Sequence, residues 1–307
     1  EQRYPRETTL EGLRWMRDNG LASRGHVLVW PSWRMMPDAV TKLRGTPREP
    51  EVKVAALAHV RDILGATQGL VSEWDVINEP FSHHDLMDVF GRDILVDIWK
   101  EAERQAPGVR LYINDWGNHD ERADLKHVQH FEDTARFLIE SGARVDGLGL
   151  QAHIGGLPNA PEAVLATLDR YKRTLGLPVR FTEFDINTDD EEMQGAYTRD
   201  FLILAYSHPS VVGVQTWGFW EGQIYAPVKA LYRKDWSEKP NGAAWRELVT
   251  DRWRTRGEGR GDTQGRWGLR AHHGRYEVEA RINDRNYRFE VNHTATNSGV
   301  PHRLVLS

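Results

Sequence analysis

The chain has 307 residues and a mildly acidic composition, with 40 Lys and Arg residues against 45 Asp and Glu residues. This length accommodates one large α/β domain, or a barrel with a small appendage. The net charge of −5 combines both signs without a basic cluster, which makes nucleic acids and anionic membranes poor candidates as partners. The absence of cysteine excludes a disulfide framework and thiolate metal sites, and no apolar run reaches the length of a membrane span.

Short apolar strands alternate with amphipathic helices as far as about residue 250. The hydrophobic pattern predicts helices at residues 8–19, 51–64, 85–105, 122–141, 161–175, 191–207 and 241–250. It predicts strands at residues 25–30, 72–78, 110–114, 147–151, 179–184 and 211–216. This alternation is typical of parallel βαβ units, which occur in doubly wound sheets and in (β/α)8 barrels.

Polar or aromatic side chains stand at the C-terminal ends of most of these strands. They are Asn78 and Glu79, Asn114 and Asp115, Gln151 and His153, Glu183 and Asp185, and Gln215 and Trp217. A doubly wound sheet would gather such groups at one switch point, whereas a barrel collects them from every strand end. The sequence therefore predicts an α/β fold of the (β/α)8 TIM-barrel type, with six parallel strands visible in this chain.

The composition changes after about residue 256. The stretch RTRGEGRGDTQGRWG is rich in Gly and Arg, as linkers are. Beyond it, residues 276–282 and 287–291 alternate between apolar and polar side chains, and Asn283-Asp284 between them is a turn signal. We therefore predict a barrel domain over residues 1–256. Residues 257–307 are predicted to form a linker and a small antiparallel appendage, either a β-hairpin or a β-sandwich-like unit.

Glu79 and Glu183 are the strongest candidates for chemistry. The segment SEWDVINEP, residues 72–80, is a short predicted strand that ends on Asn78 and Glu79 and is stopped by Pro80. Two carboxylates at barrel strand ends can cleave a glycosidic bond, one as the nucleophile and the other as the acid and then the base. The alternative interpretation is a strand that ends in solvated polar residues. The twelve tryptophans are compatible with sugar-stacking platforms, although tryptophan also fills barrel cores.

Five segments form a recognisable series along the chain. In order they are GHVLVW at 25–30, WDVINEP at 74–80, GLGLQAHI at 147–154, FTEFDI at 181–186 and TWGFWEG at 216–222. Together they resemble glycoside hydrolase family 10, the endo-β-1,4-xylanases, over about residues 8–256. The resemblance implies a retaining enzyme that hydrolyses the xylan backbone by double displacement, with no cofactor and no metal ion.

The resemblance also implies a role for each matched residue. Glu79 resembles the acid/base of the family, and Glu183, in the TE-x-D pattern, resembles its nucleophile. The supporting residues would be His153 and Asp185, which resemble the pair that orients the nucleophile, and Asn78, which resembles the residue that binds the hydroxyl next to the reacting carbon. The substrate would be bound by His26, Trp30, Gln151 and Trp217, and Trp220 is predicted as a further substrate contact from its place in the loop after the last strand.

Three departures from the family pattern accompany this match. Pro31 stands where the family usually has a second histidine, and the loop WGFWEG differs from the commonest xylanase form. Six strands are predicted instead of eight, and nothing matches the asparagine, glutamate and lysine of the first two strands. We therefore expect a barrel that is N-terminally incomplete and lacks the first two βα units.

Several functions stay open at this point. The same barrel could act on another β-1,4-glycan, such as glucan or mannan, or the chain could be a non-catalytic glycan-binding fragment. A third possibility is a metal-dependent barrel hydrolase that uses His26, His153, Glu183 and Asp185. His83-His84 is interpreted as a solvated loop pair and not as a metal site, and no role is assigned to Asn114 or Asp115.

The expected partner is xylan or a related β-1,4-linked plant polysaccharide, bound by a monomer, with no nucleic acid and no membrane involved. The N-terminal segment EQRYPRETTLEG does not have the pattern of a signal peptide. Secretion or display at the cell surface is nevertheless expected, because a polymeric wall substrate lies outside the cell.

Overall fold

The computed structural model describes residues 6–305, and the chain divides into two compact units, Glu1–Gly242 and Ala243–Ser307. The first unit holds the parallel strands, and the second holds an antiparallel hairpin. The predicted domain boundary near residue 256 stays a prediction.

The first unit is built on one parallel sheet. Its strands are β1 (Arg24–Gly25), β2 (Glu73–Asn78), β3 (Arg110–Asp115), β4 (Gly147–Leu150), β5 (His153–Ile154), β6 (Val179–Ile186) and β7 (Val211–Thr216). Neighbours in the sheet follow one another along the chain, from β1 through β2, β3 and β4 to β6, and β7 pairs with β6. Because this sequential order is that of a barrel wall, the predicted fold class is confirmed, in the form of a half-barrel.

Two of the predicted strands are interrupted in the structure. The strand predicted at residues 25–30 pairs with β2 at β1 and again at Val29, which bridges to Ile77. The strand predicted at residues 147–151 resumes after Ala152 as β5, and both halves pair with β6. Ala152 has a φ of 59°, so the extended conformation is broken there and the six predicted strands appear as seven segments.

The helices flank the strands in the predicted order. They are α1 (Arg6–Asp18), α2 (Asp38–Thr41), α3 (Glu51–Ala66), α4 (Asp85–Phe90), α5 (Asp93–Gln105), α6 (Leu125–Glu140), α7 (Pro161–Thr174), α8 (Glu191–Ser207) and α9 (Pro240–Arg246), followed by a π-helical turn at Glu247–Arg252. The single helix predicted at residues 85–105 is two helices, because Gly91 ends α4 with a φ of 76°.

The sheet forms the centre of the core. The strands β2, β3, β4 and β6 are buried along nearly their whole length, as parallel strands covered by helices are. At the N-terminal end of β2, the buried carboxylate of Glu73 pairs with Arg24, Arg110 and Arg180. This buried charge is therefore compensated at the end of the sheet opposite to the candidate site.

The second unit contains the predicted hairpin. Its strands β8 (Gly274–Ile282) and β9 (Arg285–His293) pair in antiparallel register along their whole length. Asn283 and Asp284 between them have φ values of 49° and 64°, as the two central residues of a type I′ turn require. The hairpin form of the appendage and its turn are thus confirmed.

None of the helices within residues 6–305 combines the length and the apolar character needed to cross a membrane.

Candidate active site

The predicted polar residues meet at the C-terminal ends of the strands. Asn78 ends β2, Glu79 follows it directly, and Glu183 lies in the last half of β6. The backbone of Glu79 is in the left-handed region, with a φ of 55°, which is unusual for any residue other than glycine. Its N–H donates to the carbonyl of Asn114 on the neighbouring strand at 2.9 Å, so β3 holds this strained position in place.

Three side chains converge on the carboxylate of Glu183. Asn114 Nδ2 donates to its Oε1 at 3.0 Å, and His26 Nε2 lies 3.9 Å from the same oxygen. His153 Nε2 lies 3.3 Å from Oε2. These groups come from different strand positions of the sheet, so the carboxylate is oriented from several sides at once.

Each of the two histidines is held by an aspartate at its other ring nitrogen. His153 Nδ1 lies 2.9 Å from Asp185 Oδ2, and His26 Nδ1 lies 3.0 Å from Asp75 Oδ2. Burial disfavours the protonated ring of His153, but hydrogen bonds and attraction from Asp185 and Glu183 outweigh it and raise the pKa of His153 to about 9. In His26, burial is likewise outweighed, chiefly by Asp75, and the pKa is raised. At neutral pH, His153 is therefore a cation between two carboxylates.

The carboxylate of Glu79 has its own set of partners. Gln151 Nε2 donates to its Oε1 at 2.9 Å, and Asn78 Nδ2 donates to the same oxygen at 3.2 Å. His83 Nδ1 lies 3.2 Å from Oε2. The interpretation of His83 as a solvated loop residue is therefore wrong, whereas His84 is exposed and lies 2.7 Å from Asp88.

Asn114 links the two carboxylates. Its Nδ2 donates to Asn78 Oδ1 as well as to Glu183, at 3.0 Å in each case, and its Oδ1 accepts from Thr182 Oγ1 at 2.7 Å. Since Asn78 in turn donates to Glu79, hydrogen-bonded amides run from one carboxylate to the other. The sequence analysis assigned no role to Asn114. Its position at a strand end was the feature that could have marked it as a site residue.

Lys229 is a second residue that sequence reasoning missed. It ends the 3-10 turn Pro227–Lys229 in the loop after β7, and it is only 8% exposed. Its Nζ lies 3.1 Å from each oxygen of Asp185 and donates to Tyr225 Oη at 3.2 Å. This contact depends on the path of a long loop, for which the sequence carries no periodic signal.

Aromatic rings surround the same group of residues. The ring of Trp217 lies 6.2 Å from that of His26 and 6.1 Å from that of His153, edge-on to both, and it is 40% exposed. Trp30 lies 6.5 Å from His26. The structure thus brings together the rings predicted to line the subsite of the reacting sugar. Trp220 is different, because its ring packs within its own loop.

A buried pair supports the turn that carries Glu79. His127 Nε2 lies 3.0 Å from Asp115 Oδ1, and the same carboxylate accepts from the backbone N–H groups of Trp116 at 2.9 Å and Phe81 at 3.4 Å. Burial raises the pKa of Asp115. The ring of Phe81 stacks on His127 with centroids 4.2 Å apart. The segment two residues after Glu79 is therefore anchored to β3 and α6.

Within residues 6–305, no group of three or more His, Asp or Glu side chains is arranged to hold a metal ion. His26 and His153 instead place one ring nitrogen against an aspartate and the other towards Glu183.

The model of glycosyl hydrolase family 10 matches residues 6–245. The chain belongs to glycosyl hydrolase family 10. The predicted family is thereby confirmed, while the roles of the individual residues stay predictions.

Several relatives of this family 10 chain are xylanases by name. Endo-1,4-beta-xylanase 1 of Arabidopsis thaliana is 28% identical over 261 residues, which is 85% of this chain and 27% of the relative. Endo-1,4-beta-xylanase 3 of Hypocrea jecorina is 30% identical over 211 residues, 66% of this chain and 56% of the relative. The anti-sigma-I factor RsgI6 of Acetivibrio thermocellus is 27% identical over 281 residues, 90% of this chain and 35% of that protein.

The fold also matches solved structures. Native xylanase 10B from Thermotoga maritima superposes with a TM-score of 0.71 and 22% identity, over 82% of this chain and 81% of that one. Since the sequence identity is low, this likeness shows the barrel type of fold alone. The chain spans between about a quarter and about a third of the length of the first curated relatives that it matches.

Proposed function

We propose that this chain is a retaining endo-β-1,4-xylanase domain in which Glu183 is the nucleophile and Glu79 the acid/base. The observation that carries the proposal is the amide chain that joins these two carboxylates at the strand ends. It runs from Glu79 through Asn78 and Asn114 to Glu183. Two carboxylates held in one array and flanked by aromatic rings suit cleavage of a glycosidic bond by double displacement.

In the first step, an oxygen of Glu183 attacks the anomeric carbon of a xylose unit. The bond from that carbon to the glycosidic oxygen breaks, and Glu79 transfers its proton to the departing oxygen. His26, His153 and Asn114 hold the nucleophile, so its orientation is set before the substrate arrives.

In the second step, Glu79 removes a proton from water while the water oxygen bonds to the anomeric carbon. The bond between that carbon and Glu183 breaks, which releases the sugar with its original configuration and returns both glutamates to their starting states. Gln151 and Asn78, which donate to Glu79 Oε1, position the carboxyl group for both proton transfers.

The substrate class follows from the open aromatic face and from the relatives. Trp217 presents a 40% exposed ring beside His26 and His153, as a platform under the reacting sugar would. The named xylanases among the relatives, and the xylobiose complex of Thermotoga petrophila xylanase 10B among the solved structures, support xylan over other β-1,4-glycans. A polymer of this kind lies outside the cell, so we infer a secreted or surface-displayed domain.

The test is release of reducing sugar from xylan by the 307-residue chain, with Glu183→Gln as the matched control. Hydrolysis that disappears in Glu183→Gln supports the assignment, since the variant keeps the shape of the side chain and loses the nucleophile. Parallel assays on β-1,4-glucan and β-1,4-mannan identify the polymer. Full activity of Glu183→Gln would contradict the assignment of the nucleophile. Faster cleavage of another polymer would contradict the assignment of xylan as the substrate.

A second candidate is glycan recognition without turnover. Not every relative is a xylanase by name, since the anti-sigma-I factor RsgI6, of which this chain spans 35%, is named as a regulatory factor. A folded chain that binds xylan and releases no sugar, even at high enzyme concentration, would establish this alternative.

A further inference from the structure

The loop between β7 and α9 carries an unusual aromatic cluster. Among the first unit's exposed large side chains, Trp217, Phe219, Tyr225 and Trp236 all lie in this one loop. The loop leaves the C-terminal end of β7, at the same side of the sheet as Glu79 and Glu183. The cluster therefore stands at the rim where the proposed substrate is cleaved.

Trp220 cannot present a free ring to a ligand in this arrangement. One face stacks on Trp236, with centroids 4.9 Å apart and planes within 9°. The six-membered part of the indole also fills the space that a Cβ on Gly222 would occupy, at 2.2 Å. Its Nε1 donates to the carbonyl of Lys234 at 3.2 Å. Trp220 is thus the base of a stack whose outer member is Trp236.

Trp236 is held in an exposed position by its backbone. It is 58% exposed, and its φ of 67° lies in the left-handed region, which is costly for a large side chain. The turn around it is closed by two backbone hydrogen bonds, from Trp236 to Arg233 and from Arg233 to Ser237, each 2.9 Å long. The ring of Phe219 lies 6.3 Å away, beside the stack. The loop therefore fixes a flat apolar surface in water at the cost of a strained residue.

We propose that Trp236, with Trp220 beneath it and Phe219 beside it, is a stacking platform for sugar units of a β-1,4-linked xylan chain away from the bond that is cleaved. The apolar face of a pyranose ring matches the size and flatness of an indole. The platform continues the loop that begins with Trp217, and exposed Lys234 and Asp235 border it with groups that can bind sugar hydroxyls. The choice of ligand class rests on the proposed function.

The experiment measures binding to insoluble xylan by depletion, in a Glu183→Gln background so that the polymer is not consumed. Trp236→Asn removes the ring, and asparagine tolerates the left-handed backbone. We expect binding roughly three- to tenfold weaker than that of the parent. Trp236→Phe, which keeps an aromatic ring on Trp220, should fall between the two. Trp15→Gln, which removes a 62% exposed indole from α1, is the matched control and should bind as the parent does.

Equal binding by the parent, Trp236→Asn and Trp236→Phe would overturn the proposal, and so would an equal loss in Trp15→Gln. If the platform instead joins two copies of the chain, sedimentation will show an association that Trp236→Asn abolishes while xylan binding is unchanged, which also overturns it. If Trp236→Asn loses its fold by circular dichroism, binding by Trp236→Phe decides between the two outcomes. Binding is measured without turnover, so its outcome does not depend on hydrolysis. A failure of the proposed hydrolytic activity would be detected in the separate assay of sugar release by the chain that retains Glu183.

Discussion

At the scale of single residues, one aspartate serves two cations. Asp185 accepts from Lys229 on one side and lies 2.9 Å from His153 on the other. His153 then reaches Glu183 with its second nitrogen. Basic and acidic side chains therefore alternate along the row Lys229, Asp185, His153, Glu183, so that each buried acidic group has a basic partner.

The raised pKa of His153 predicts how stability changes with pH. Its ordinary value is 6.5 and its value in the fold is about 9, so the protonated ring stabilises the fold fully below pH 6.5 and loses this effect as the pH rises through 9. The contribution is up to about 3 kcal/mol. Glu183 and Asp185 face the ring and supply the effect, and His26, whose pKa is also raised, adds to it in the same direction.

Urea unfolding at pH 6, 7.5 and 9.5 measures this contribution. We expect His153→Gln to be less stable than the parent at pH 6 and to approach it at pH 9.5. His84→Gln, which removes an exposed surface pair with Asp88, is the control and should run parallel to the parent at every pH. A His153→Gln deficit that stays constant from pH 6 to 9.5 would contradict the assignment of the charge to this ring.

A second prediction concerns Lys229. Lys229→Met keeps a side chain of similar length but removes its ammonium group. The buried carboxyl group of Asp185 then loses one of its two basic partners. We expect a loss of about 3 kcal/mol in the free energy of unfolding, the typical effect of breaking a buried ion pair. Lys234→Met, in the exposed part of the same loop, should have almost no effect. Urea unfolding at pH 7 measures the free energy of unfolding of both variants. Equal stabilities of Lys229→Met and Lys234→Met would count against the pairing of Lys229 with Asp185.

The residues of the site were predictable to different degrees. Glu79, Gln151 and Glu183 stand at or beside strand ends, where alternation of strands and helices fixes their position along the barrel. Lys229 was not predictable, because its contact with Asp185 spans 44 positions through an irregular loop. The packing of Trp220 on Trp236 was missed for the same reason, since the sequence analysis predicted Trp220 as a substrate contact.

At the scale of elements, the register of β3 and β4 makes room for Asn114. Asn114 pairs with Gly149 across the sheet, and a Cβ on Gly149 would lie 2.3 Å from Asn114 Oδ1. The neighbouring pair repeats the pattern, since a Cβ on Gly147 would lie 2.2 Å from the ring of Tyr112. The side chains of Tyr112 and Asn114 therefore occupy the space that side chains at the two glycines of GLGL would need. Asn114 is the residue that links the carboxylates of Glu79 and Glu183.

Gly149→Ala should consequently act at a distance on both glutamates. The added methyl group displaces Asn114, which breaks its hydrogen bonds to Glu183 and Asn78. We expect kcat/KM on xylan to fall by roughly 100-fold, as misplacement of reacting groups by about 1 Å does. Gly155→Ala is the control, because a Cβ there meets nothing within 4 Å. Steady-state kinetics of both variants test this, and equal kcat/KM values would show that Asn114 is not needed.

Element prediction succeeded where the hydrophobic period was strong. Helix α8 begins and ends at the predicted residues, 191 and 207. The strand at residues 25–30 was harder, because a run of apolar residues shows burial but not whether every residue pairs. Its ladder pairing with β2 is confined to β1 and the bridge at Val29, with a further backbone hydrogen bond from Leu28 N–H to the carbonyl of Asp75.

At the scale of the whole molecule, the candidate site belongs to one unit. All of its residues, from His26 to Trp236, fall inside Glu1–Gly242, and the family match ends at residue 245. The barrel type was predictable because functional groups recur at one strand end after another along the chain, in the order that the sheet follows. The hairpin was predictable from alternation and its Asn-Asp turn, but its role was not, since neither feature specifies a ligand.

Removal of the C-terminal part tests this separation. We expect a chain that ends at residue 256 to hydrolyse xylan with the kcat and KM of the 307-residue chain, because every residue proposed to touch the substrate is retained. A two-stranded hairpin is only marginally stable by itself, so it is a weak source of stability for the rest of the chain. Kinetics on soluble and insoluble xylan, together with thermal unfolding, compare the two chains. A loss confined to insoluble xylan would assign polymer binding to residues 257–307. A loss on both substrates with an intact fold would show that these residues complete the active site, against the predicted boundary.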